Sequence, residues 1–298
     1  MKNIFLIILQ LIFILGAAPF ITGLIKKSKA FLQCRRGAGV LQPYADVVKF
    51  FRRETVVPET ASWLTLAAPY VCLAAYLAAG CLIPLFRGQD TGHFGSIILF
   101  IYLLGMARFF LAAAALEAGS AFGGMGSSRE MMVSSLVEPV LAIGLFGLVV
   151  MGGHADLTWL FGQGERASAI VAFIGLLIVV IAETGRIPVD NPDTHLELTM
   201  IHEAMLLEYS GRLLGLLHLA AMVKQIVLLM LLVQLFLPGM FGLSLVWALP
   251  LLLLKVAVLG IILALVETVL AKLRLFKLPE LLAGGAAFCV LSVIMNIL

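Results

Sequence analysis

Charged side chains are scarce in this sequence. Asp, Glu, Lys and Arg make up 12% of its 298 residues, against roughly 25% in an ordinary soluble domain. The chain is long enough to bury a normal core, yet 62% of it is hydrophobic and its mean hydropathy is +1.11. That excess of apolar surface needs lipid as its solvent. The formal net charge of +3 is small and gives no basic footprint for nucleic acid.

Metal-binding and nucleotide-binding motifs are also missing. Four cysteines occur, Cys34, Cys72, Cys81 and Cys289, and none forms a CxxC pair or a Cys/His cluster. No iron–sulfur or zinc ligand set is therefore expected in the chain, and the cysteines read as small apolar residues. There is no GxGxxG and no Walker motif, and no Ser/His/Asp order that would support nucleophilic catalysis. Alternating strands of the barrel kind are absent too.

Long apolar runs are what remain. Eight segments approach the roughly 20 residues that a membrane-spanning helix needs: about 4–25, 64–86, 94–116, 131–152, 168–183, 213–237, 244–270 and 279–297. The fifth is short. The first exceeds the apolar core of a signal peptide, so it is read as a span. In lipid, backbone groups must be satisfied within each segment, which makes these runs helices. The expected fold is an all-α polytopic membrane protein of about eight transmembrane helices, with residues 1–298 forming one transmembrane domain.

The loops sort by charge. Residues 26–62 carry Lys26, Lys27, Lys29, Arg35, Arg36, Lys49, Arg52 and Arg53, and the last connection carries Lys272, Arg274 and Lys277. The connection after the second span holds one basic residue, Arg87, the one after the fourth holds Arg166, and the one after the sixth holds none. The positive-inside rule then places 26–62, 117–130, 184–212 and 271–278 in the cytoplasm and both termini outside. On a prokaryotic reading this is the cytoplasmic membrane.

Two of these loops look structured. From Tyr44 to Arg53, Val47, Val48, Phe50 and Phe51 alternate with Asp46, Lys49, Arg52 and Arg53, a pattern that suits a short interfacial helix. The segment 192–208 opens on Pro192, has acids in its first turn and aligns Leu196, Met200, Ile201 and Ala204, which predicts a second helix. Gly123, Gly124 and Gly126 read as a turn, with Ser127 or Ser128 capping the fourth span.

Charges also occur where they are costly. Arg108, Glu117, Glu138, Glu183, Lys224, Lys255 and Glu267 lie within or at the ends of spans, where each costs about 2.5–3.5 kcal/mol at mid-bilayer. Two readings apply: a path that passes ions through the membrane, or ionic and hydrogen-bonded glue between helices. The loop after the fifth span is densely charged, with Glu183, Arg186, Asp190, Asp193, Glu197, Glu203 and Glu208. On a helix Asp193 and Glu197 are neighbours four residues apart, and crowded carboxylates bind protons more readily than isolated ones. His218 lies inside the sixth span, where packing is as good an explanation as proton relay.

Three segments together resemble one family. The run from Gln33 through Arg35, Arg36, Gly37, Gly39, Gln42, Pro43, Asp46 and Lys49 is similar to the first loop of subunit 1 of respiratory NADH:quinone oxidoreductases. Arg129 followed by Glu138 resembles that family's fourth helix. Glu183, Gly185, Arg186, Pro188 and Asp190, then Glu197, Glu208, Tyr209, Ser210 and Gly211, resemble its long acidic loop. The resemblance covers nearly the whole chain. The first loop is shorter between Gly37 and Leu41 than in the quinone-reducing branch, His195 stands where a Glu is usual, and Glu267 with Lys272, Leu273 and Arg274 resembles the membrane subunits of formate hydrogenlyase and hydrogenase-4. These departures point to the branch of energy-converting nickel–iron hydrogenases.

The resemblance implies a membrane-anchoring, ion-coupling subunit with no redox centre of its own. The nickel–iron centre and iron–sulfur clusters would reside in partners: large and small hydrogenase subunits, an iron–sulfur protein and antiporter-like membrane subunits. The implied coupling path comprises Glu138, Glu183, Asp190, Asp193, Glu197 and Glu208, to which the costly charges of the spans and the acidic loop add Glu203, Lys224, Lys255 and Glu267 as candidates. The implied docking face for the peripheral arm comprises Arg35, Arg36, Asp46, Lys49 and Arg186. A quinone-reducing subunit 1 and an independent secondary transporter remain as alternatives; the second would need inverted repeats, which the sequence does not show.

Overall fold

The computed structural model describes residues 2–57, 61–84, 97–152, 167–191, 200–237 and 245–297. Among these the chain is helical, with α1 (Lys2–Leu32), α2 (Gln42–Phe51), α3 (Trp63–Cys81), α4 (Ile97–Glu117), α5 (Ala121–Gly152), α6 (Ala167–Glu183), α7 (His202–Met205), α8 (Gly211–Phe236), α9 (Leu245–Val269) and α10 (Leu278–Ile297). Seven are long and apolar enough to cross a membrane, and α6 is a shorter apolar helix of 17 residues. All eight predicted spans are therefore present as helices. At 1.5 Å per residue α6 is about 26 Å long, just short of the hydrocarbon core.

The bundle is organised around α8. Every residue from Val223 to Leu235 is buried, Lys224, Gln225 and Gln234 included, so this part of the helix is enclosed by its neighbours on all sides. Neighbouring helices pack in the series α9, α1, α3, α4, α5, α10, α6, and α1, α3, α6 and α9 all rest on α8. Small residues permit the close crossings. A Cβ on Gly175 of α6 would stand 2.6 Å from Cys289 Sγ of α10, so dispersion contacts between backbones replace the hydrophobic effect that lipid cannot supply.

Helix boundaries and bilayer boundaries differ. α1 continues to Leu32, beyond the apolar run, and carries Lys29 into a buried position. α5 starts at Ala121, so the glycines expected to form a turn lie within its first turns, and the serines do not cap it. Ser127 Oγ donates to Ala112 O of α4 at 3.0 Å, and Ser128 Oγ donates to Gly124 O at 2.8 Å. Gly126 is needed for proximity: a Cβ there would stand 2.9 Å from Ala204 Cβ and 3.1 Å from Ile201 O.

The charged connections meet at one end of the bundle. Ser210 Oγ accepts from Val56 N and donates to Val56 O, both at 2.8 Å. Gly211, at φ +52°, lets the backbone of Glu54 pass where a Cβ would collide with its carbonyl oxygen. Glu117 accepts from Thr65 N at 3.1 Å, from Thr65 Oγ1 at 2.8 Å and from Ser62 Oγ, so this carboxylate closes the N-terminus of α3. Lys272 Nζ reaches Asp190 at 2.8 Å, and Leu273 N donates to Pro188 O at 2.8 Å. The four segments expected on one side of the membrane are thus bonded to one another.

The short helix expected over 44–53 is α2, shifted to Gln42–Phe51, with Pro43 at its start. Of the helix expected over 192–208, residues 192–199 lie outside the described residues, and the rest is helical only over the four residues of α7. Instead of continuing a helix, Ile201 N turns to donate to Asp190 Oδ2 at 2.9 Å. Met200, Ile201 and Ala204 of the expected apolar face are buried, as is Met205, and Leu196 lies outside the described residues.

Candidate functional site: a buried relay of ion pairs

The centre of the site is the arginine of α4. An isolated guanidinium on an apolar helix would be expensive, and Arg108 is buried between two carboxylates. Its Nη1 donates to Glu183 Oε2 at 2.7 Å and its Nη2 to Glu138 Oε1 at 2.5 Å. Glu183 closes the last turn of α6, and Glu138 projects from the middle of α5. Gly105, one turn before Arg108, keeps that space open, because a Cβ there would stand 3.2 Å from Glu138 Oε1. Ser134 Oγ also donates to Glu138 at 3.2 Å.

The relay continues into α8. Lys224 Nζ stands 3.1 Å from Glu183 Oε1 as an ion pair and 5.7 Å from the centroid of the Tyr76 ring on α3. The order is Glu138, Arg108, Glu183, Lys224, two acids alternating with two bases, so the cluster is neutral when all four are ionised. Arg108 and Glu183 side chains are 4% and 1% exposed, whereas Glu138 is 40% exposed. Glu138 is therefore the end of the relay that opens away from the bundle.

A second network lies toward the bonded connections. Arg186 Nη1 donates to Glu267 Oε1 of α9 at 2.5 Å and Nη2 to Gln225 Oε1 of α8 at 2.8 Å. Lys29 Nζ lies 3.5 Å from Glu267 Oε2, and Thr22 Oγ1 donates to Gln225 Oε1 at 3.1 Å. Gln225 follows Lys224 in the chain, so adjacent residues of α8 touch both networks. Asp190 forms a third node, accepting from Asn191 N at 2.8 Å, Ile201 N at 2.9 Å and Lys272 Nζ at 2.8 Å.

Two cavities lie beside these nodes. One of about 140 Å³ is walled by Arg186, Asp190, His202, Glu203, His218 and Gln225. Another of about 40 Å³ is walled by Tyr76, Glu130, Glu183, His202 and Lys224. They share the walls Thr184, Gly185, His202 and Ala221. A water needs roughly 10–15 Å³ of such space and two or more polar partners, so both have room and partners for water. The larger borders the acidic connection and the smaller borders Glu183.

The predicted path residues thus separate into groups. Glu138, Glu183 and Lys224 belong to the relay, Asp190 and Glu267 to the networks beside it, and Glu203 to the larger cavity. Glu208 is half-buried three residues before α8. Asp193 and Glu197 lie outside the described residues. Lys255 is at the other end of the bundle, where its Nζ donates to Leu237 O, the last turn of α8, at 2.8 Å. Of the predicted docking residues, Arg35, Arg36 and Lys49 are exposed and Asp46 accepts from Gln42 Nε2 at 2.9 Å. Arg186 instead directs its guanidinium inward. His218 stacks on Phe50 with centroids 5.2 Å apart, which gives it a packed role.

Sequence reasoning noted Arg108 as a buried charge without assigning it a place, although a lone arginine in an apolar helix was the available signal. It did not single out Gln225 or Tyr76. Buried Tyr209, beside the first connection, has no hydroxyl partner among the described residues, and burial pushes its phenol well up. Among the described residues no group of three or more His, Cys, Asp or Glu side chains is placed to hold a metal.

Comparison with known proteins gives the family and the fold. The family model described as NADH dehydrogenase matches residues 4–298. The chain is 31% identical over 297 residues to formate hydrogenlyase subunit 4 of Escherichia coli (strain K12), covering 96% of each. It is also 31% identical over 296 residues to hydrogenase-4 component C of the same organism, covering 95% of this chain and 92% of that one. A chain of the membrane-bound sulfane sulfur reductase, an archaeal respiratory membrane complex, superposes with a TM-score of 0.87 over 99% of this chain and 100% of its own, at 18% identity.

Proposed function

This chain belongs to the NADH dehydrogenase family, and from that membership we propose that it is the membrane-anchoring, ion-coupling subunit of a multisubunit hydrogenase of the formate hydrogenlyase or hydrogenase-4 type. In this reading the whole chain acts as one membrane domain in a prokaryotic cytoplasmic membrane, with the bonded connections in the cytoplasm and both termini outside. The observation that carries it is the buried relay from Glu183 through Arg108 to Glu138, fed by water-sized cavities, in a chain that matches two hydrogenase membrane subunits along nearly their full length.

The partners would be the large and small hydrogenase subunits, an iron–sulfur protein and antiporter-like membrane subunits. The nickel–iron centre and iron–sulfur clusters would belong to those partners, since this chain's four cysteines lie apart as free thiols. The chain's own part is to hold and hand on charge. An electron arriving on a cluster near the acidic connection would draw a proton toward Asp190 and Glu203, and toward Asp193 and Glu197, which lie outside the described residues. The cavity waters would carry that proton toward Glu183. Arginine keeps its proton in proteins, so Arg108 would serve as the fixed charge between Glu183 and Glu138. Lys224 is the cation at the inner end of the relay, and Glu138, its most exposed member, would hand the charge to an antiporter-like subunit.

The direct test is mild-detergent purification of this chain from its own membranes, with subunits, nickel, iron and quinone measured on one sample. Nickel with both hydrogenase subunits is the expected result. Bound quinone with flavin-containing, NADH-oxidising subunits and no nickel would move the chain to the quinone-reducing branch.

Docking has its own test. Arg35 and Arg36 are exposed on the connection between α1 and α2, suited to carboxylates on a peripheral arm. Arg35→Ala combined with Arg36→Ala is expected to weaken arm retention on native gels. Loss of two rim charges, each worth about 1 kcal/mol or less, lowers affinity roughly tenfold. An arm that stays bound through gel electrophoresis at raised salt would remove these residues from the interface.

A further inference from the structure

Among the described residues, His202 is the one titratable side chain that borders both polar cavities. Their shared walls are Thr184, Gly185, His202 and Ala221. Gly185 and Ala221 have no side-chain group that exchanges a proton. The Thr184 hydroxyl is turned back toward α6, donating to Val180 O at 2.7 Å. The other titratable groups divide cleanly. Lys26, Arg186, Asp190, Glu203 and His218 border the larger cavity. Cys72, Tyr76, Glu130, Glu183 and Lys224 border the smaller one.

The backbone on either side of His202 is anchored. His202 opens α7. Immediately before it, Arg129 Nη1 of α5 donates to Met200 O at 3.0 Å, and Ile201 N donates to Asp190 Oδ2 at 2.9 Å. Two residues after it, Ala204 lies so close to α5 that a Cβ on Gly126 would stand 2.9 Å from its own Cβ. The imidazole therefore stands on a segment tied to the start of α5 and to the acidic connection. Glu203, the next residue, supplies a carboxylate on the larger side, and Glu130 and Glu183 supply carboxylates on the smaller.

We propose that His202 carries protons between the two cavities, from the side of Glu203 to the side of Glu183. The inference rests on the reading of this chain as an ion-coupling subunit, and it adds a residue to that route. Neutral imidazole has one nitrogen that accepts and one that donates, and its charge changes between about pH 5 and 8. One nitrogen takes a proton from a water of the larger cavity. The other gives its proton to a water of the smaller cavity, and a half-turn of the ring restores the starting tautomer. No electron moves and no other reactant is consumed. Arginine could not serve here, because it keeps its proton.

The test measures the initial rate of ion uptake by sealed vesicles holding the assembled complex, with assembly read on native gels. His202→Gln is expected to assemble and to lower uptake about 100-fold, the lower range for loss of a positioned proton-transfer group. His202→Asn, the shorter amide, is expected to do the same and is read if the Gln variant fails to assemble. His202→Glu is expected to restore uptake to within about tenfold of the original, since crowded carboxylates bind protons more readily than isolated ones. Full uptake in an assembled Gln or Asn variant would overturn the inference. So would equal loss in the Gln and Glu variants, which would make shape the requirement, and so would failure of all three to assemble, which would make it packing. Glu138→Gln, measured alongside, separates the two levels. Uptake lost there but normal in His202→Gln overturns the carrier and leaves the relay; uptake normal in both overturns the relay as well.

Discussion

Replacing Arg108 with methionine is expected to cost about 3–5 kcal/mol of stability, because it leaves buried carboxylates without their cation. Glu183 loses its 2.7 Å partner and keeps only Lys224, while Glu138 loses its 2.5 Å partner and keeps Ser134. The measurable outcome is a sharp fall in folded, complex-bound protein in the membrane. A compensated variant separates charge from shape. Arg108→Met with Glu183→Met and Lys224→Met removes cations and anion together and leaves Glu138, the partly exposed acid, to protonate or find water. Replacing a buried ionic cluster with apolar residues is often neutral for stability, so this triple variant should accumulate better than Arg108→Met alone, yet lack coupling. If the single variant accumulates normally and pumps normally, the relay is neither glue nor path.

The same arithmetic explains why the sequence revealed the spans but not the relay. Eight apolar runs report the thickness of a bilayer, and each appears as a helix. Hydropathy says where lipid ends, not where a helix ends. That is why α1 runs on to Leu32 and α5 starts at Ala121. Gly123, Gly124 and Gly126 looked like a turn because glycine is a poor helix former. The close approach of Ile201 and Ala204 to Gly126 shows the compensating need. Costly charges in spans were also legible as a set. Their pairing was not, since Arg108 meets Glu183 across 75 positions and Arg186 meets Glu267 across 81. No local period encodes such distances; they follow from which helices flank α8.

Arg186 and Lys255 show how position in the fold sorts similar charges. A motif assigns Arg186 to docking, and depth in a span assigns Lys255 to coupling. Arg186 bonds inward to Glu267 and Gln225, so its charge holds the acidic connection onto α8 and α9. Lys255 reaches the carbonyl end of α8 on the remote side, where a cation complements the helix dipole. What these residues do is set by the atoms they reach, and those became visible only with the packing.

Glu138→Gln is expected to leave the complex assembled while ion translocation falls by about 10²-fold, the lower range for loss of a positioned proton-transfer group. The amide keeps the volume of the carboxylate and an oxygen for Arg108 Nη2 and Ser134 Oγ, so packing against α4 survives. It cannot take up and release a proton. Because Glu138 is the most exposed member of the relay, the block would fall at the hand-over to the neighbouring membrane subunit, downstream of Glu183. Hydrogenase turnover measured in detergent, where no gradient opposes it, should then change little, while proton or sodium uptake by sealed vesicles stops. Glu138→Asp, one methylene shorter, should restore part of the uptake, which a purely structural role for the carboxylate oxygen would not predict. Unchanged uptake per turnover in the Gln variant would place the route elsewhere and leave Glu138 as an anchor for Arg108. Loss of turnover and uptake in equal measure would show that charge reaches Glu138 only when the step at the cluster is obligatorily coupled to it.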